Sequence, residues 1–220
     1  MRSGCIVAWA LLAVAAPARA GDVTGTVTFT GAPPARPALP VTKDGSVCGD
    51  GVPDESLLVA NGRLVNVVVT VKGAPPAAPT QATLDQQRCR YLPHVQTLPL
   101  GSTLDIVNSD PLLHNSHGWQ GRATRFNVPT PEKGTRVPAR LDRAGLVQVR
   151  CDVHGWMSAY VVVVADGRAA LVGADGTFTV RDVPPGTYAV TAWHERLGER
   201  TSQVTVPAQG KARVDFDYGR

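Results

Sequence analysis

Apolar and polar residues alternate with a period of two along short runs, and turn-forming residues interrupt those runs at close intervals. Residues 22–30 (DVTGTVTFT) alternate cleanly, and residues 64–71 (LVNVVVTV) are β-branched. Residues 145–151 (GLVQVRC) and 159–164 (AYVVVV) have the composition of buried strands. Successive strand side chains point to opposite faces, so each run has one side to bury. Leu98, Leu100, Leu104 and Ile106 fall in two short strands around a turn at Gly101-Ser102. Residues 31–56 and 111–135 are interrupted by Pro and Gly and read as loops, and GAPPAAP at 73–79 reads as a turn or short linker. From residue 169 the rhythm tightens. Strands are predicted at 169–172, 177–180, 187–193, 203–206 and 212–218, joined by Asp175-Gly176, Pro184-Pro185-Gly186, Leu197-Gly198 and Gln209-Gly210. Such even spacing predicts a small β-sandwich. No stretch of ten or more residues has a helical period with caps, so the expected fold class is all-β.

Composition agrees: 18 Pro and 22 Gly in 220 residues supply many turns. The first twenty residues, MRSGCIVAWALLAVAAPARA, have a basic start, an apolar centre and a small-x-small end, which predicts a secretory signal peptide cleaved before Gly21. The apolar centre is too short for a stable anchor and no second stretch of membrane length follows, so stable membrane insertion is not expected. Cys5 lacks the leucine-led context of a lipoprotein cysteine and falls within the leader. The expected location is secreted, in a periplasm-type compartment. Losing Arg2 and Arg19 lowers Lys+Arg from 22 to 20 against 18 Asp+Glu, a net +2 without basic clusters. That balance argues against a nucleic-acid partner.

Three cysteines remain beyond the leader, and an odd number in an oxidising compartment leaves one without a partner. Cys48 and Cys89 lie in loop-like surroundings and are the natural disulfide pair, two free thiols being the alternative. Cys151 opens the run Cys151-Asp152-Val153-His154-Gly155-Trp156-Met157, a C-x-x-H-x-x-M pattern between two strong β runs. A loop this short can turn the Cys151 sulfur, a His154 nitrogen and the Met157 thioether toward one point. A thiolate and two imidazoles with a weak thioether suit one copper ion, whereas structural zinc prefers four strong ligands and rarely takes Met. A second histidine is therefore required. Asn108-Ser-Asp110-Pro-Leu-Leu-His114-Asn115 supplies it after the 104–107 strand. A Cys and a His three apart between strands can also be a buried thiol and a surface imidazole; Met157, the odd cysteine and this run shift the balance toward metal. His117 would face away from His114 on an extended segment. His94 and His194 have no metal-like neighbours and read as surface or packing residues.

The stretch Tyr91-Leu-Pro93…Leu98…Gly101…Leu104-Asp-Ile106…Asn108…Asp110…His114-Asn115, with the C-x-x-H-x-x-M loop, resembles the cupredoxin (type I blue copper) family, in particular its short-loop, amicyanin- and plastocyanin-like members. The resemblance spans roughly residues 60–165 and implies a Greek-key β-sandwich. It also implies that His114, Cys151 and His154 are the strong ligands, that Met157 is the axial one, and that Asn115 ties the two ligand-bearing segments together. Val153 stands where short-loop members carry Pro, leaving its N–H free to donate to the sulfur and raise the reduction potential. Residues 166–220, with DGTFTVRDVPPGTYAVTAWHE and VTVPAQGKARVDF, resemble a carboxypeptidase-regulatory or transthyretin-like β-sandwich. That module carries no catalytic residues and implies a carbohydrate or protein ligand, or a spacer. Residues 21–59 form an N-terminal strand and loop that either module could own.

A closed four-ligand site with no adjacent acid or base points to single-electron transfer by a non-enzyme. The electron is expected to leave by an exposed edge of His154, through a rim of Pro111, Leu112, Leu113, Gly155 and Trp156, to a redox protein partner. Copper delivery or storage would favour Met-rich ligands, and the chain has only two Met. A non-redox binding module at the envelope is the third reading. Five histidines cannot furnish a multicopper oxidase or nitrite reductase, and the C-x-x-C-H of covalent haem is absent.

Overall fold

The computed structural model describes residues 20–208 and 210–219, so almost all of the expected signal peptide lies outside the described residues. The chain is all-β and forms two β-sandwiches, each with its own core. No helix among the described residues is long and apolar enough to cross a membrane.

The first sandwich packs a four-stranded sheet, in the order Arg136–Arg140, Thr103–Asn108, Gln81–Gln86 and Tyr91–Leu92, against a five-stranded one. The second sheet runs Ala123–Thr130, His114–Gln120, Gly145–Arg150, Ser158–Val164 and Val95–Pro99. Leu84, Leu104, Ile106, Val149, Ala159 and Val161 are fully buried between them. Each apolar side chain so enclosed contributes roughly 1.5–3 kcal/mol over exposure, with alanine below that range.

The stretch expected to be loop at 111–135 is corrected by two paired strands, His114–Gln120 and Ala123–Thr130. Its inward residues are His114 and Ser116 rather than hydrophobics, so no apolar alternation marked it. Pro129 is tolerated because Ala123–Thr130 is an edge strand, where a missing N–H faces no partner.

The second sandwich is not confined to the last fifty-odd residues. Gly21–Thr28 pairs antiparallel with Thr177–Val183 and parallel with Lys211–Arg213 and Phe216–Asp217, so the N-terminal strand belongs here. Val68–Val71 lies between Arg168–Leu171 and Gly186–His194 in the opposing sheet. The boundary expected near residue 60 therefore moves to about residue 80: Leu64, Val67, Val69 and Val71 belong to the core of the second sandwich. Residues 81–164 are an insertion between two parts of it. Gly25 must be glycine, since a Cβ there would stand 1.7 Å from the Val214 carbonyl oxygen and within 3 Å of the Phe178 ring.

Between the two runs a strap crosses to the first sandwich. Leu39–Pro40 pairs with Gly51–Val52, and a single helical turn, Gly45–Cys48, lies between them. Val41 and Val47 of the strap pack on the first core, which Cys48 joins.

Candidate metal centre

The loop of residues 151–157 closes on itself because the Met157 amide donates to the His154 carbonyl at 2.9 Å and the Cys151 amide to the Met157 carbonyl at 3.4 Å. This holds Cys151, His154 and Met157 at one end of the five-stranded sheet, all buried. The register His117↔Arg150 sets Cys151 just past the paired segment, beside the start of the strand that carries His114. The two imidazoles meet with Nδ1 atoms 2.9 Å apart, and the Cys151 sulfur lies 4.0 Å from Nδ1 of His114 and 3.9 Å from Nδ1 of His154. Cys151 is a free thiol. Met157 is buried in the same core, adjoining Trp156.

Each imidazole is gripped from behind by a carboxylate. His114 Nε2 lies 3.0 Å from Oδ2 of Asp110, and His154 Nε2 lies 2.9 Å from Oδ2 of Asp44. A carboxylate there requires a proton on Nε2, which turns both Nδ1 lone pairs toward each other and toward the sulfur. Burial pushes the His114 imidazole below its ordinary pKa and the neighbouring His154 adds to this, outweighing the Asp110 bond that raises it. Converging lone pairs in a buried pocket repel unless a cation lies among them. The donor set therefore fits a metal ion.

Asp110 is itself fixed. Its carboxylate accepts from the Arg88 amide at 2.7 Å and the Cys89 amide at 2.8 Å, which converge because both residues adopt positive φ. Asn115 bridges the segments that carry His114 and Cys151: its Oδ1 accepts from the Asp152 amide at 2.7 Å, and its Nδ2 donates to Asp152 and Asn127 at 2.8 Å. Cys48 and Cys89 form a disulfide.

Two expectations are corrected. The amide that donates to the sulfur is that of His154, at 3.4 Å, because the loop turns there; Val153 instead packs half-buried on the core. The edge of His154 is not exposed: the imidazole is fully buried, and the strap brings Asp44 over its Nε2. Of the expected rim, Pro111, Leu113 and Gly155 are exposed and Leu112 and Trp156 half-buried. His117 points away from the ligands and meets Asp152 at 3.1 Å, its ring 3.9 Å from that of Trp119. His94 is buried and pairs with Glu195 of the second sandwich, while His194 is enclosed completely.

Residues 155–218 match the carboxypeptidase regulatory-like domain family. The match begins inside the ligand loop, although Ser158–Val164 is paired into the first sandwich. Among solved structures, a reduced amicyanin variant is 22% identical over 44% of this chain and 98% of its own, with a TM-score of 0.36. A purple cupredoxin from Nitrosopumilus maritimus is 22% identical over 39% of this chain and 99% of its own, at a TM-score of 0.34. A copper-containing nitrite reductase from Thermus scotoductus is 22% identical over 41% of this chain, which spans only 25% of the reductase, at a TM-score of 0.36. No curated protein matches the chain.

The expectation of a site with no adjacent acid is corrected as well, because Asp110 and Asp44 each hold one imidazole. Asp110 had a local signal, four residues before His114. Asp44 had none, being 110 residues from His154.

Proposed function

We propose that this chain is a secreted, periplasm-type electron carrier that holds one copper ion through His114, Cys151 and His154, with Met157 as a weak fourth ligand. The observation that carries the reading is the convergence of two Nδ1 atoms and one thiol sulfur, all buried, with both Nε2 atoms held by carboxylates. Thiolate and imidazoles with a thioether at hand favour copper, because a structural zinc site takes four strong ligands. A copper ion bound there would supply a couple between two oxidation states one electron apart.

The chain's own residues orient and enclose. Asp110 and Asp44 keep both imidazoles in the tautomer that frees Nδ1. The His154 amide donates to the sulfur, which favours the reduced state. Asn115 keeps the ligand loop from swinging away from His114. Enclosed ligands leave a substrate no approach, so we read the protein as a carrier rather than an enzyme. The same enclosure disfavours copper delivery. The disulfide accords with an oxidising compartment. A redox protein partner would dock at the apolar rim around Leu113, which is 50% exposed. The regulatory-like domain would serve as a spacer or bind a carbohydrate or protein.

Cupric ion added to the purified protein tests this. An intense thiolate-to-copper visible band is expected at one ion per chain, lost in Cys151→Ser. Met157→Leu should keep the band and raise the reduction potential, since it removes a donor to the oxidised ion. A parent protein that stays colourless, or a band that survives Cys151→Ser, contradicts the reading.

A further inference from the structure

Asp44 is a surface residue that reaches a buried ligand. Its side chain is 41% exposed, whereas the His154 side chain 2.9 Å beyond it is wholly enclosed. The backbone is built to hold it there. Asp44 adopts a left-handed conformation (φ 55°), and its carbonyl accepts from the amides of Val47 and Cys48 at 3.0 Å. The turn it starts ends at Cys48, cross-linked to Cys89 with Cα atoms 5.2 Å apart. Cys89 is in turn part of the site: its amide donates to Asp110 at 2.8 Å, and its carbonyl accepts from Trp156 Nε1 at 3.1 Å. The strap is thus tied on one side to His154 and on the other to the residues that hold His114.

We propose that residues 39–52 form a lid over the metal centre and that Asp44 is a positioning residue for His154, fixing its tautomer while closing the path to Cys151. Where it concerns metal ligation this rests on the copper reading; the closure itself does not. The carboxylate fastens the lid from outside, and the disulfide fastens it from inside. Loading and loss of the ion then require the Asp44–His154 contact to break first. Small reagents are kept from the thiol in the same way.

The test uses the metal-free protein, with the alkylation rate of Cys151 by iodoacetamide as its readout. Asp44→Gly removes the carboxylate yet suits the positive φ, so the turn is retained. Losing a charge-assisted hydrogen bond over a buried site should speed alkylation by roughly tenfold. Asp44→Asn keeps an acceptor and tolerates the same backbone, so its rate should stay near the parent's. The Cys48→Ser/Cys89→Ser double variant should react faster as well. Nitrogen NMR of the parent should show His154 protonated on Nε2, a signature that general loss of stability would not produce. Equal rates in parent and Asp44→Gly, or a parental His154 protonated on Nδ1, overturn the proposal. If the rate contrast and the tautomer appear but no copper band forms, the lid stands and the copper reading fails. If the band forms without the contrast, the lid fails and the copper reading stands.

Discussion

His94 and His194 are both buried, at 8% and 0% exposure, yet their neighbours push them in opposite directions. Burial lowers the His94 pKa, but the hydrogen bond and charge of Glu195 outweigh it and leave the net value raised. Among the described residues no carboxylate bonds to the His194 ring. Its Nδ1 accepts from the Arg196 amide at 3.2 Å, its Nε2 has no partner among the described residues, and burial lowers its pKa from 6.5 to about 4. As pH falls below 6.5 the unfolded chain takes up this proton first, so stability from His194 is present above 6.5 and declines toward pH 4. His94 behaves the other way: its contribution is complete below 6.5 and is lost as pH rises through its raised value. Denaturant midpoints of the metal-free protein should therefore fall between pH 6.5 and 4, less steeply in His194→Gln. An identical slope in that variant would rule the assignment out. Neither role was legible in the sequence, where both histidines lack informative neighbours. By contrast, the approach of Cys151 to His154 was legible because a short loop carries both, whatever the rest of the chain does.

The strand His114–Gln120 carries two kinds of residue on its two faces. His114 points inward to the candidate metal centre, while His117 and Trp119 share the outer side, their rings 3.9 Å apart. Asp152, bonded covalently to Cys151, meets His117 at 3.1 Å. Asp152 is itself 55% exposed, so the run from the sulfur reaches the surface there, with the His117–Trp119 stack beside it. On the proposed carrier reading, with docking at the rim around Leu113 just before this strand, Leu113→Glu should slow electron self-exchange several-fold without moving the reduction potential; an unchanged rate would exclude docking there. The strand itself was invisible to a periodicity argument, which looks for apolar residues on the buried side. Here that side carries His114 and Ser116, with Gly118 beneath the Phe126 ring. The strands at 145–150 and 158–164 were legible because their buried positions are valine and alanine.

At the scale of the molecule, the first sandwich is an insertion in the second, and contacts that tie them include His94 to Glu195, Tyr160 to Trp193 with ring centroids 5.5 Å apart, and Arg90 to Glu55 at 3.8 Å. His94 also reaches the Ser158 carbonyl at 3.0 Å, one residue beyond Met157, so the junction buttresses the loop of residues 151–157. Strand-like composition gave the class, but it could not assign Gly21–Thr28, most of whose partners lie some 150 residues or more away, nor the strap that brings Asp44 to His154. Pairing across such separations is set by which faces fit, and single-segment patterns do not record it. On the proposed reading, the Cys151 sulfur and the His154 imidazole from one loop share one copper ion with the His114 imidazole from another strand. X-ray absorption at the copper edge of the loaded protein measures this directly. One sulfur with two imidazole nitrogens at short range is the predicted shell; a shell of nitrogen and oxygen alone would contradict it.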